Sequence, residues 1–413
     1  MKAKQGLEGI VFSDTRLSEI DGQAGKLSYC GYDIRDLAAK ASYEEVAFLL
    51  LYQRLPAKSE LQLLVNWLRS NRTLHRVVWG IMHSLPERAT PMEALATIVA
   101  TLPMFDDCCA HAQSGGPHLC QATNLTAKLP TIVASFDRLR RNRVPIEPRR
   151  DLGHAANFLY MLTGQVPDPM SARALEILFV LLAEHGMNAS TFSARVTAST
   201  LGDVYSAVVT ALGTLKGPLH GGAAPKAMEQ LMEIGCVENV DLWFERQVAV
   251  GRRLMGFGHR VYKVQDPRAA ILRKLARQVA ERNGETKWYD IAARLEERVL
   301  AHPYFQERRI LTNVDFYSAP LLYALGLPMD LFTPVFAVAR VIGWTAHILE
   351  QQQHNRLIRP RAKYVGPADL CWVDTPHRQP LVEADQDIPC LPQQLVASPA
   401  ASSVSLVELA AIR

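Results

Sequence analysis

Helical periodicity runs through most of this chain, while strand-like runs are short and confined to its beginning. Ile271, Leu272, Leu275 and Val279 line one helical face, with Arg273, Lys274, Arg277 and Gln278 on the other. Trp288, Ile291, Ala292, Leu295 and Val299 repeat the pattern. Residues 43–54, 60–70, 92–104, 123–140, 151–163, 170–186 and 192–214 also read as helices. The strand-like runs are residues 9–12 and 27–29. Without regular alternation of strands and helices there is no basis for a parallel sheet, so Rossmann and barrel folds are excluded. The expected class is mainly α, with a few short N-terminal strands.

At 413 residues, 48% hydrophobic and 21% charged, the chain is long enough for two domains. A net charge of +4 without a lysine–arginine run argues against nucleic acid as a partner and suits small polyanionic substrates. The N-terminus carries no apolar signal-like region, and no uninterrupted apolar stretch is long enough to span a bilayer, so a membrane is not an expected partner. Seven cysteines, an odd number spread along the chain, suggest a reducing compartment, hence a cytoplasmic location. Cys108, Cys109, His111, His118 and Cys120 bring soft ligands close together, but in no standard zinc spacing. Free thiols beside a flexible 114–117 loop are expected there, and no metal. After Gly366 the composition changes; residues 367–413 read as a loosely attached tail with at most a short helix at 405–412.

Three segments carry the chemistry. In Gly217-Pro218-Leu219-His220-Gly221-Gly222, little side-chain bulk surrounds one imidazole, so a ligand can approach it closely. A helix over 223–232 follows, and a helix N-terminus disfavours positive charge, so His220 should be a neutral donor able to polarise a carbonyl. In Met255-Gly256-Phe257-Gly258-His259 the G-x-G is weak evidence for anion binding, and His259 is the informative residue, with Arg268 one to two turns on. In Asn313-Val314-Asp315-Phe316-Tyr317, apolar neighbours should desolvate Asp315 and strengthen it as a base. The plainer alternative makes Asp315 the N-cap of a helix beginning at Phe316.

Arg340 lies in a segment apolar nearly all round, from Val335 to Trp344, for which Thr333 and Pro334 form an N-cap and N1 pair. A guanidinium so placed requires an anion, and a ligand is favoured over a protein carboxylate because Arg356, Arg359 and Arg361 follow. His185, after a strongly apolar helix, is by itself more often a helix C-cap than a ligand contact, and Asn188 is a plausible cap for the next helix. Together these residues suit enolisation beside a dicarboxylate: a base, a neutral donor to the thioester or ketone oxygen, a second acid and an arginine clamp.

In this order the segments resemble citrate synthases, from Gly6-Leu7-Glu8-Gly9 and Tyr29-Cys30-Gly31-Tyr32-Asp33-Ile34 through Arg359-Pro360-Arg361-Ala362-Lys363-Tyr364. The resemblance implies a mainly helical homodimer with a discontinuous large domain (1–220 and 323–366) and a small domain (221–322) that closes over the substrates. It implies an acyltransferase in which Asp315 removes a methyl proton from acetyl-CoA, His220 stabilises the enol oxygen and His259 protonates the oxaloacetate carbonyl. The citryl-CoA formed is then hydrolysed to citrate and CoA. It further implies His185, Arg268 and Arg340 as oxaloacetate ligands, with Arg359 from the other subunit. Leu254, Met255, Gly256, Phe257 and Gly258 line the CoA site, Lys263 stands near its phosphates, and no cofactor is needed because the CoA thioester is a substrate. Ala224-Pro225 departs from the Asn-Glu of many members, at a first helical turn where proline is tolerated. Three alternatives remain: 2-methylcitrate synthase acting on propionyl-CoA, a citryl-CoA-cleaving lyase, and a non-catalytic helical scaffold.

Overall fold

The computed structural model describes residues 5–7, 9–106 and 116–375. Among the described residues, those from 6 to 359 form one compact unit and those from 360 to 375 belong to a second. In the second unit the described residues from 360 to 374 are exposed and without helix or strand, and the Tyr364 hydroxyl donates to the Pro367 carbonyl (2.7 Å). The expected helix at 405–412 lies outside the described residues, as do Cys108, Cys109 and His111. Cys120 is disulfide-bonded rather than the free thiol expected, because pairing depends on spatial approach that sequence spacing does not reveal. Of the loop expected at 114–117, Gly116 and Pro117 instead open the helix Gly116–Leu139.

Seventeen α-helices are present among the described residues, with a single three-stranded antiparallel sheet, as the mainly α expectation required. Local chemistry sets many of their ends. Ser42 and Glu45, and Thr90 and Glu93, form reciprocal capping boxes, each satisfying amides that a helix start leaves unpaired. Asp168 and Asp266 cap helices that begin with Pro169 and Pro267, the position where a missing N–H costs nothing. Gly164 and Gly284 close their helices at positive φ.

The helix Phe332–Gln353 is the axis of the core, packing against Gly116–Leu139, Pro169–Leu182, Ala189–Ser199 and Val204–Lys216. Val335, Val338, Val341, Ile342, Trp344 and Ile348 are buried, each large side chain contributing about 1.5–3 kcal/mol by removal from water. This helix, with the preceding turn from Met329, is long and apolar enough to cross a bilayer, but 89% of its apolar window is buried within the protein. Its start differs from expectation: it begins at Phe332 without a side-chain cap, and the Thr333 hydroxyl instead donates to the Gly221 carbonyl (2.9 Å). That bond ties the core helix to the His220 loop.

Two further differences matter for the site. The expected helix over 192–214 is two helices, Ala189–Ser199 and Val204–Lys216, separated by a reversal in which Leu201 has φ +64° and Asp203 caps the second helix. The expected strand at 9–12 is absent, since Ile10 closes a turn onto Leu7 and Val11 is exposed. The first strand is Ser18–Asp21, paired with Lys26–Tyr29 so that Ser18 faces Tyr29. Asp21 closes the hairpin by accepting from the amides of Gln23 and Ala24. Against this turn rests the loop after His259: the Lys263 amide donates to the Gly22 carbonyl (2.8 Å), and a Cβ at Gly22 would lie 2.2 Å from the Val261 oxygen.

Candidate active site

Asp315 sits in the first turn of the helix Val314–Ala324, whose N-cap is Asn313, not Asp315; the Asn313 carboxamide accepts from the Asp315 amide (3.0 Å). Relieved of capping, the Asp315 carboxylate has no hydrogen-bond donor among the described residues. Burial pushes its pKa up to about 6, with Asp266 adding to the shift and Arg268 and Arg340 opposing it. The carboxylate is therefore ionised at neutral pH and more basic than an ordinary aspartate.

The strand-like segment leading to Asp315 is pinned by the glycine loop. Phe257 and Thr312 form an antiparallel bridge, Gly258 N–H donates to the Leu311 carbonyl (2.8 Å), and Asn313 N–H donates to the Gly256 carbonyl (2.9 Å). Gly256 has φ +83°, and a Cβ there would stand 2.8 Å from the Phe316 Cα. Gly256 thus has a structural role, letting the loop lie flat against the helix that carries the carboxylate, while Gly258 supplies a left-handed turn at φ +81°. Gly256→Ala is expected to destabilise the protein by about 2 kcal/mol or more, through a strained φ and a backbone clash, and thermal unfolding will read the loss. Leu254 and Phe257 are buried in this loop, and Met255 is half-buried with its amide on the Gln230 carboxamide (3.0 Å).

His220 lies in the turn before the helix Ala223–Ile234. Its Nε2 receives the Ser190 backbone N–H (3.3 Å) and lies 2.8 Å from the Ser190 hydroxyl. Because an amide can only donate, Nε2 is the acceptor and the ring proton resides on Nδ1. Burial, reinforced by Arg340, lowers the His220 pKa to about 4, so the ring is neutral as expected. The cause differs from expectation, however: burial and Arg340 keep the ring neutral, and the helix amide that donates to it belongs to the first turn of Ala189–Ser199, capped by Asn188, rather than to the helix that follows His220. Trp344 Nε1 donates to the same serine hydroxyl (3.0 Å) and fixes it from the core helix.

His259 shows the opposite tautomer. Its Nδ1 accepts the amides of Val261 (3.0 Å) and Tyr262 (3.2 Å), which leaves Nε2 protonated. Burial, then Arg268, lowers its pKa to about 4. His185, buried beyond the end of the helix Pro169–Leu182, is not a C-cap; Ala183 occupies that position. The His185 ring meets the His259 ring edge-on at 5.3 Å between centroids, and its Nε2 bonds the Tyr262 hydroxyl (3.2 Å). Burial, with Arg268, His259 and Arg340 nearby, holds His185 well below the usual histidine range. Three neutral imidazoles therefore lie within electrostatic reach of two cations, His185 of both, His220 of Arg340 and His259 of Arg268.

Those cations differ. Arg268 is buried and bidentate to Asp266, Nε to Oδ1 at 3.0 Å and Nη2 to Oδ2 at 2.8 Å. Burial works against its charge, and the adjacent carboxylate outweighs it. Arg340 is equally buried, yet among the described residues no carboxylate pairs with it; its Nε donates to the Leu182 carbonyl and its guanidinium stacks on Phe336 at 4.6 Å. Burial pulls its pKa down to about 10, which leaves it charged at neutral pH. An unpaired buried guanidinium beside a half-used one makes a cradle for a carboxylate-bearing ligand. Lys263 and Arg359 are exposed, and neither side chain makes a hydrogen bond or ion pair among the described residues. Sequence reasoning missed Tyr262, Ser190, Trp344 and Asp266. Of these, only Asp266 has a legible signal, an N-cap before Pro267 with an arginine two positions on.

Residues 6–361 match the family described as citrate synthase, C-terminal domain. A citrate synthase of Haloferax volcanii is 45% identical over 382 residues, covering 91% of this chain and 99% of that protein. A 2-methylcitrate synthase of Mycobacterium tuberculosis is 41% identical over 367 residues, covering 88% and 90%. Among solved structures, citrate synthase from Pyrobaculum aerophilum superposes with a TM-score of 0.85 at 43% identity, covering 90% of this chain and 95% of that one. A ternary complex of citrate synthase from Thermoplasma acidophilum with carboxymethyl coenzyme A and oxaloacetate gives 0.85 at 34% identity, covering 91% and 100%. With relatives this similar along nearly their full length, and with the imidazoles, carboxylate and guanidinia gathered as described, the chain belongs to the citrate synthase family of enzymes.

Proposed function

We propose that this enzyme condenses acetyl-CoA with oxaloacetate and hydrolyses the resulting citryl-CoA to citrate and CoA. The observation that carries the reading is the pair of neutral histidines with opposite tautomers and a half-buried, strengthened carboxylate, all within electrostatic reach of arginines, one of which has no carboxylate partner among the described residues. On this reading Asp315 takes a proton from the acetyl methyl group while His220 donates its Nδ1–H to the thioester oxygen, so that charge developing there meets a placed donor. The enol carbon then bonds to the oxaloacetate carbonyl carbon as the enol proton returns to His220 and restores the thioester carbonyl, and His259 passes its Nε2 proton to the oxaloacetate carbonyl oxygen. Water completes the reaction by displacing CoA from the thioester carbon.

His185, Arg268 and Arg340 hold the oxaloacetate carboxylates, and Arg359 reaches the site from the partner subunit of a homodimer, consistent with its having no hydrogen bond or ion pair among the described residues. Leu254, Met255, Gly256, Phe257 and Gly258 line the CoA site, Lys263 serves the CoA phosphates, and residues 221–322 form the small domain that closes over both substrates. No cofactor is called for, because the thioester itself activates the methyl group. A cytoplasmic enzyme of the tricarboxylic acid cycle fits this chemistry.

A second reading, 2-methylcitrate synthase, is favoured by the 41% identical mycobacterial relative. Acetyl and propionyl groups differ by one methylene, for which an apolar pocket discriminates by about 10- to 200-fold. We expect kcat/KM for acetyl-CoA to exceed that for propionyl-CoA, measured with oxaloacetate held saturating. A higher value with propionyl-CoA would reverse the assignment, and no CoA release with either would leave the scaffold or the lyase.

A further inference from the structure

The same core helix that carries Arg340 also carries His347 and Glu350, two and three turns further on, and the proposed chemistry uses neither. His347 is fully buried, and its Nε2 donates to Glu184 Oε1 at 2.9 Å. Glu184 is also fully buried and directly precedes His185. Its Oε1 further accepts from the Ser18 hydroxyl (2.9 Å) and from the backbone N–H of Gly186. One carboxylate oxygen thus grips the residue after His185, while the carboxylate belongs to the residue before it.

The turn is tight. Gly186 has φ +60°, and a Cβ there would lie 3.1 Å from the Ile20 side chain. Tyr29 completes the clamp by donating its hydroxyl to the Glu184 carbonyl (2.8 Å). On the far side of His347, Nδ1 lies 3.5 Å from Arg195 Nη1 and 3.7 Å from Glu350 Oε2; Glu350 Oε2 accepts from the same Arg195 Nη1 (2.9 Å), and Glu350 Oε1 accepts from the Arg16 amide (2.8 Å). The charged groups facing this imidazole are therefore Glu184, Glu350 and Arg195, with Arg340 within electrostatic reach of Glu184. Two carboxylates outweigh burial and keep His347 protonated, its pKa raised to about 9. Glu184 Oε2 has no hydrogen-bond partner among the described residues and faces Gly343, where a Cβ would intrude to 2.6 Å. Without a neighbouring cation, a carboxylate this dry would take up a proton and loosen its hold on the Gly186 amide.

We propose that His347 is a positioning residue: held between Glu184 and Glu350, it keeps the Glu184–His185–Gly186 turn closed and so aims His185 at oxaloacetate. This rests on the reading of His185 as an oxaloacetate ligand. The test is the oxaloacetate Kd of the full chain by isothermal titration calorimetry, alongside KM for oxaloacetate and for acetyl-CoA. H347Q keeps a donor to Glu184 but removes the charge, and should weaken oxaloacetate binding about tenfold while leaving the acetyl-CoA KM unchanged, a split that general loosening of the fold would not give. The double variant E184Q/H347Q, in which a neutral carboxamide needs no counter-charge, should recover part of that loss.

A Kd within twofold of wild type, or equal rises in both KM values, overturns the proposal. Should H347Q not fold, Ser18→Ala carries the test: it removes another donor to the same oxygen from the sheet edge and should raise the Kd about threefold, an unchanged value overturning the idea. Failure of the wild-type enzyme to bind oxaloacetate would instead sink the underlying reading.

Discussion

Asp315→Asn is expected to lower kcat by about 10³-fold while oxaloacetate binds with its wild-type Kd, because the variant deletes the base and spares the arginine cradle. The carboxamide is nearly isosteric, and the Asp315 side chain accepts no hydrogen bond in the described structure, so little packing is disturbed. Steady-state kinetics with a separate oxaloacetate titration will distinguish the two effects. Unchanged kcat would remove Asp315 from the chemistry. The same group predicts the acid limb of the pH profile. Its pKa is raised to about 6 and only the ionised form accepts a proton, so kcat/KM for the acyl-CoA should climb as pH rises through about 6 and level off above it. His220 and His259, both near 4, stay neutral across that range and contribute no limb of their own there. In Asp315→Asn the residual rate should lose this limb.

Arg340→Leu should have the opposite signature, weakening oxaloacetate binding about 100-fold, or about 3 kcal/mol, because a substrate carboxylate loses its charge-assisted, desolvated donor. Calorimetric titration of the purified variant will read the Kd directly. A wild-type value would mean that the guanidinium serves only the Leu182 carbonyl and the Glu184 field. The two variants thus separate proton transfer from substrate holding, two functions that the proposed reaction gives to residues on different helices.

Much of the site was legible in sequence, for identifiable reasons. Local chemistry marked His220 and His259, each an imidazole set among glycines. Arg340 was conspicuous because a charged side chain in an apolar helix requires a partner wherever the helix packs. Asp315 was legible as a carboxylate among aromatic neighbours, and its strengthened basicity follows from that burial. Its supposed capping role was wrong by two positions, since Asn313 was equally able to cap and only the backbone path decides between them.

What local patterning determined by itself was the helical class and the identity of the groups able to do proton chemistry, because these depend on neighbours within a turn or two. Tertiary structure alone decided which tautomer each histidine carries and which cation is left unpaired. Ser190 reaches His220 only because the chain reverses at Leu201, a leucine in a left-handed conformation that no propensity announces. Glu184 and His347 are 163 residues apart, and each looks like an ordinary polar residue until folding buries both. A hydrogen bond or a missing counter-ion is a property of two positions in space, and periodicity along one chain records only one of them.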